Sequence, residues 1–144
     1  MVSTWVMKNG ILLNLTCTPF FKVGDTFKYF IMMKNINNTA RLSLLEMAGM
    51  FNLTIYNSKD SAVWWEYSYY SSAPLHQNFK EGSNWTDSEN QWDTETNLPN
   101  HLGPSSPPVK PTPDNYTLVA QGLYYNIDLD KREQVELLVP LTIR

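Results

Sequence analysis

At 144 residues with a net charge of −3, the chain has the size of a single domain. Charged residues make up only 17% of it, against about a quarter in an ordinary soluble protein. No run of Lys and Arg is present, which argues against nucleic acid as a partner. No apolar run reaches the ~18 residues that span a bilayer, and a lone cysteine, Cys17, excludes an intrachain disulfide.

Along the chain the apolar period is two, the period of strands. The apolar segment 5–17 reads as a long terminal strand, clearest over Ile11–Cys17, with Cys17 as a small buried apolar residue. Gly10–Leu15 is too short, and too poorly framed, to be a signal peptide; a secreted form would have lost its signal before residue 1. Thr26–Asn35 is a second strand, and the turn Asn35-Ile36-Asn37-Asn38 leads into a third over Thr39–Glu46. Leu45–Met50 has the composition of a short helical turn. Phe51–Tyr56 places Phe51, Leu53 and Ile55 on one face and Asn52 and Thr54 on the other. The polar stretch Asn57–Ser61 closes a hairpin from that strand to Ala62–Tyr70.

Trp64, Trp65, Tyr67, Tyr69 and Tyr70 form the densest aromatic cluster. Alternation puts Trp65, Tyr67 and Tyr69 on one face and Trp64 on the other, so one side packs inward and the other is a candidate contact surface. From about residue 97 to 114 six prolines mark a long loop with polyproline II character. Tyr116–Ala120 is a further strand, with Asn115 and Thr117 opposite its apolar side. Asp128, Asp130 and Glu133 surround Lys131-Arg132 in a solvated turn. Val135–Ile143 is the last strand, and Pro140, which has no N–H to donate, places it on an edge or marks a change of partner there. Turn signals every 8–12 residues are the rhythm of an all-β antiparallel sandwich of one domain.

The strongest motif is a repeated one. Five Asn-x-Thr triplets begin at Asn14, Asn37, Asn52, Asn84 and Asn115, and none has Pro in the middle. With 14 Asn and 12 Thr in the chain, chance supplies about one. Five sequons on a surface rich in hydroxyls and amides point to N-linked glycans and to an extracellular or cell-surface location. Chemistry, by contrast, has no visible machinery. His76 and His101 lie far apart with no ligand-spaced acid or thiol. Asp87–Asn90 resembles half of a calcium loop without its bidentate Glu. No phosphate cradle and no nucleophile elbow is present. No catalysis, no metal and no cofactor beyond the glycans is expected.

Phe51–Ser68, with its apolar strand, polar turn and Val63-Trp64-Trp65, resembles the signature of the BsuPI-type intracellular proteinase inhibitor family. Phe79–Ser83, the tryptophan-bearing segment Trp85–Asp93, Asn115–Ala120, Val23–Thr26 and Lys34–Thr39 extend the resemblance over about residues 20–125. The resemblance implies an immunoglobulin-like antiparallel β-sandwich. The chain departs from the family at Asp60-Ser61 and at Asn115, where the family carries Gly, and in the proline-rich insertion. The version with sequons and without disulfides is similar to archaeal cell-surface proteins. The expected function is that of a non-enzymatic, glycosylated subunit that assembles with copies of itself into a surface filament, such as a pilus or thread, or a surface layer. Its terminal strands would complete a neighbour's sheet by β-augmentation, as donor strands. The alternative is a proteinase-inhibitor-like, protein-binding or carbohydrate-binding module, the last using Trp64 or Trp85.

Overall fold

The computed structural model describes residues 1–44, 51–68, 77–96 and 111–144. They form two β-sheets packed face to face, an all-β sandwich. Eleven strands follow in chain order: β1 (Val2–Lys8), β2 (Ile11–Cys17), β3 (Phe20–Phe21), β4 (Thr26–Asn35), β5 (Leu42–Leu44), β6 (Phe51–Tyr56), β7 (Ala62–Ser68), β8 (Gln77–Asn78), β9 (Asn84–Asp93), β10 (Asp114–Asn126) and β11 (Lys131–Ile143). The first sheet has the order β1-β2-β4-β9. The second is built on the hairpin of β10 and β11, whose thirteen-residue strands pair from Asp114↔Ile143 to Asn126↔Lys131. On its other side β10 takes two shorter partners, β6 along Thr117–Gly122 and β5 along Tyr124–Asn126. Every pairing is antiparallel except the short contact of β3 with β11.

The N-terminal segment is a hairpin, where the sequence suggests one strand over 5–17. Asn9 (φ 53°) and Gly10 (φ 77°) both have left-handed backbone, which is the requirement of a two-residue turn whose twist matches the flanking strands. β1 then pairs β2 along its whole length, from Val2↔Cys17 to Lys8↔Ile11. The following asparagines clasp this turn. Ile36 N–H donates to the Gly10 carbonyl at 2.8 Å, and Asn38 Nδ2 donates to the Asn9 carbonyl at 3.0 Å. A Cβ on Gly10 would lie 2.2 Å from Asn37 Oδ1, so only glycine admits the contact.

Alternation gives each sheet one buried face. Ile11, Leu13 and Leu15 of β2, and Phe27, Tyr29, Ile31 and Met33 of β4, meet Leu53, Ile55, Leu118, Val139 and Leu141 of the second sheet. The sheets approach closely at Gly122, where a Cβ would stand 2.7 Å from Met33 Sδ and 3.3 Å from Leu13 Cδ1. Pro140 sits on an edge, as its chemistry demands. Thr142 and Arg144, of the same parity, donate outward to the carbonyls of Pro19 and Phe21, so the donor that Pro140 lacks would also have pointed away from β10.

Of the expected strand over Thr39–Glu46, Leu42–Leu44 forms β5, residues 39–41 precede it as non-strand, and Leu45 and Glu46 lie outside the described residues. Asn38 Oδ1 accepts from the Ala40 N–H and holds the approach to β5 in a turn. The Tyr116–Ala120 and Val135–Ile143 strands are longer than their apolar cores, because the β10–β11 ladder continues through polar residues to the turn at 127–130. The suggested helical turn at Leu45–Met50 and the proline-rich loop over 97–110 lie outside the described residues.

Candidate functional site: the sequons and the outer sheet faces

The five sequons distribute over the outside of both sheets. On β2 the buried residues are Ile11, Leu13, Leu15 and Cys17, so Asn14 and Thr16 face outward. On β9, Trp92 is buried and Trp85 packs against the core, and the exposed Asn84 and Thr86 point the other way. On β6 and β10 the sequon residues Asn52, Thr54, Asn115 and Thr117 likewise oppose the buried Phe51, Leu53, Tyr116 and Leu118. Asn37 is exposed in the connection from β4 to β5.

Their carboxamides differ in what they do. Asn52 Nδ2 donates to Gln121 Oε1 at 3.0 Å, and Gln121 Nε2 donates to Glu136 Oε1 at 3.1 Å. The Trp65 indole N–H donates to Asn52 Oδ1 from the other side. Asn52 is therefore the centre of a polar ladder across β7, β6, β10 and β11. Asn14 Oδ1 accepts only a long bond from Thr16 Oγ1, at 3.4 Å, and Asn115 Oδ1 accepts one from Thr142 Oγ1, also at 3.4 Å. Among the described residues no hydrogen bond engages the Nδ2 of Asn14, Asn37, Asn84 or Asn115. That nitrogen is the atom an N-linked sugar is attached to.

The aromatic cluster divides as alternation requires, and it corrects one expected contact residue. Trp64 is fully buried. Its ring lies 5.7 Å from Trp92 and 6.2 Å, edge-on, from Tyr29. It faces the core because Ile55, its cross-strand partner, does too. Trp64 thus belongs to no contact surface, and Trp85 also packs inward. Trp65 is half-buried and spends its indole N–H on Asn52. Tyr67 lies on β7 opposite Asn52, and Tyr69 lies outside the described residues.

The exposed tryptophan is Trp5, 63% accessible, where the apolar segment 5–17 suggests a residue within one long strand. The register places Trp5 opposite Asn14, and Asn14 opposite Met32. Met7↔Leu12 and Thr16↔Phe30 form the adjoining rows. Trp5, Met7 and Phe30 are exposed, so the outer face of the first sheet carries apolar side chains around Asn14, interspersed with Ser3, Thr16 and Lys34. The signal that could have located it is Asn9-Gly10, the strongest short hairpin dipeptide, which fixes which side of β1 faces out.

β1 also presents an open edge. It pairs β2 and no other described strand. In a two-residue hairpin the flanking residues, Lys8 and Ile11, form a hydrogen-bonded pair, and such pairs alternate along the ladder. The N–H and C=O groups of Ser3, Trp5 and Met7 therefore point away from β2. This edge has a single charged side chain, Lys8, and no proline, so it lacks the usual protection against pairing with another chain.

Cys17 is buried, and burial pushes its thiol up to about 11, which keeps it protonated at neutral pH. Asp114 is held below the usual carboxylate range by a 2.6 Å hydrogen bond from Ser58 Oγ. Asp128 is held low by the Arg41 backbone N–H and then by its guanidinium, 2.6 Å away. Among the described residues no group of three or more His, Cys, Asp and Glu could hold a metal ion, and no helix is long and apolar enough to cross a membrane. Neither a protein-family model nor a curated protein matches the chain.

Proposed function

We propose that this protein is a non-enzymatic, N-glycosylated extracellular or cell-surface β-sandwich that assembles with copies of itself into a filament or surface layer. The observation that carries the reading is a surface of two kinds: outward sequons, four of whose Nδ2 groups no hydrogen bond engages among the described residues, and a nearly uncharged edge strand that pairs only β2 among the described strands. Glycans at Asn14, Asn37, Asn84 and Asn115 keep the faces soluble, and the edge of β1 is left for association. Asn52 serves as a structural asparagine.

Both terminal strands are already paired within the chain, β1 with β2 and β11 with β10. Augmentation therefore adds a whole sheet edge to a neighbour rather than exchanging a strand. β1 and β9 are the two edges of the same four-stranded sheet, and with its antiparallel order β1 of one copy continues the alternation beside β9 of the next. Such a head-to-tail contact propagates, whereas pairing β1 with β1 closes a two-fold dimer.

The test is size in solution for the glycosylated protein and its Ser3→Pro variant. Proline at 3 removes an outward donor and leaves the β1–β2 ladder intact. Concentration-dependent polymers that Ser3→Pro abolishes, with the fold kept, are expected. Polymers indifferent to Ser3→Pro, or a monomer at every concentration, contradict the reading.

A second reading, a proteinase-inhibitor-like binding module, is favoured by the β6–β7 hairpin. Asp60 there has φ 61°, a left-handed backbone at the site where the similar family carries Gly. Tight inhibition of a serine protease by the monomeric domain would put that reading first.

A further inference from the structure

We propose that Trp5 and its neighbours form a sugar-stacking platform on which the first rings of the glycan at Asn14 lie back. The inference rests on the reading of the chain as a glycoprotein. Asn14 is the only sequon residue set between an exposed tryptophan on one side and a methionine on the other, opposite Trp5 across β1 and Met32 across β4. Trp5↔Asn14 is a non-hydrogen-bonded pair by the alternation counted from the turn, the kind in which facing side chains come closest. Thr16 Oγ1 holds the carbonyl end of the Asn14 carboxamide, and Ser3 Oγ and Thr16 Oγ1 share a 2.7 Å hydrogen bond. That leaves Nδ2 without a hydrogen-bond partner among the described residues.

A pyranose ring has an apolar C–H face, and a tryptophan face carries the partial negative charge that such hydrogens meet. With Trp5 63%, Met7 50% and Phe30 45% exposed, the face holds apolar surface that a solvated monomer gains by covering. A glycan tethered at its centre is at high effective concentration over it. The open edge of β1 lies in the plane of the sheet, not on this face, so a covered face and an available edge coexist. The glycan then does two things at once: it hides the apolar face from other copies and leaves the edge as the route of association.

The experiment compares thermal unfolding of the glycoprotein, made in an N-glycosylating host, with its Trp5→Ala, Asn14→Gln and doubly substituted forms, each with site-resolved mass. Asn14→Gln and Trp5→Ala should each lower Tm by about 3 °C, the double form no further than either single one, and Trp5→Tyr should keep most of the effect. Additive losses, or a Trp5→Ala loss that persists in the Asn14→Gln background, overturn the platform and assign Trp5 to a protein contact. A bare Asn14 beside modified Asn37, Asn84 and Asn115 overturns this inference alone. Bare asparagines at every sequon overturn the glycoprotein reading with it.

Discussion

Asn14 and Asn52 are the same kind of motif in the same kind of place, and the two surroundings are opposite. Each stands mid-strand on the outer face of a sheet, on β2 and β6 respectively. Asn14 is flanked by Trp5 and Met32 and keeps its Nδ2 without a partner among the described residues. Asn52 lies opposite Gln121 on one side and Tyr67 on the other, and it bonds Gln121 and the diagonal Trp65. A sequon is a statement about three residues. Whether its amide is available is a property of the neighbouring strands, which the tripeptide does not contain.

The largest expected effect is all-or-none. In glycoprotein cleaved to peptides, Asn14 carries sugar and Asn52 does not, and a modified Asn52 beside a bare Asn14 would invert the contrast. The next effect is read in urea on protein made without glycans. Asn52→Ala removes the hydrogen bonds to Trp65 and Gln121, and should cost about 1–3 kcal/mol. Asn14→Ala in the same protein should fall within about 0.5 kcal/mol of zero. Equal losses at the two sites would show that the ladder on the second sheet does not distinguish Asn52.

Titration sharpens the same comparison between sheets. Cys17 lies under the first sheet with its thiol raised from 9.0 to about 11. The unfolded chain gives up this proton first, so the contribution is complete below about 9 and is lost as the pH rises from there toward about 11. At pH 8 the thiol of the native protein should resist alkylation, and denaturant should make it react fully. The smallest effect belongs to the second sheet. Asp114 and Asp128, near opposite ends of β10, have carboxyls lowered by hydrogen bonds. Their contribution is present above the ordinary carboxylate range and is lost as the pH falls through their lowered values. Both carboxylates are solvent-exposed, so the acid dependence should be slight. Ser58→Ala should remove the larger cause at Asp114, whereas Arg41→Ala should weaken the effect at Asp128 only in part, because the backbone N–H of residue 41 remains.

The periodicity of the chain exposed much of this architecture. Phe51–Tyr56, Ile11–Cys17 and Thr26–Asn35 alternate cleanly because one face of each strand is core and the other is not. Pro140 announced an edge through the donor it lacks. The outward placement of the sequon pairs at Asn52 and Asn115 also follows from alternation alone. What alternation leaves undetermined is pairing. It does not say which strands lie beside Asn14 and Asn52, so the polar ladder of one and the apolar surround of the other were both hidden. Trp64 and Trp65 show the same limit: adjacent residues take opposite faces, and only the packing of Tyr29 and Trp92 against Trp64 decides which one is inside. Trp5 was missed for a more local reason, since the Asn9-Gly10 turn that sets it on an exposed hairpin strand was read through as part of one apolar run.

The most direct measurement is site-resolved mass spectrometry of the protein purified from its natural source. The account predicts a mass above the 16.6 kDa of the bare chain, with sugar at Asn14, Asn37, Asn84 and Asn115 and none at Asn52. An unmodified chain of 16.6 kDa would contradict it.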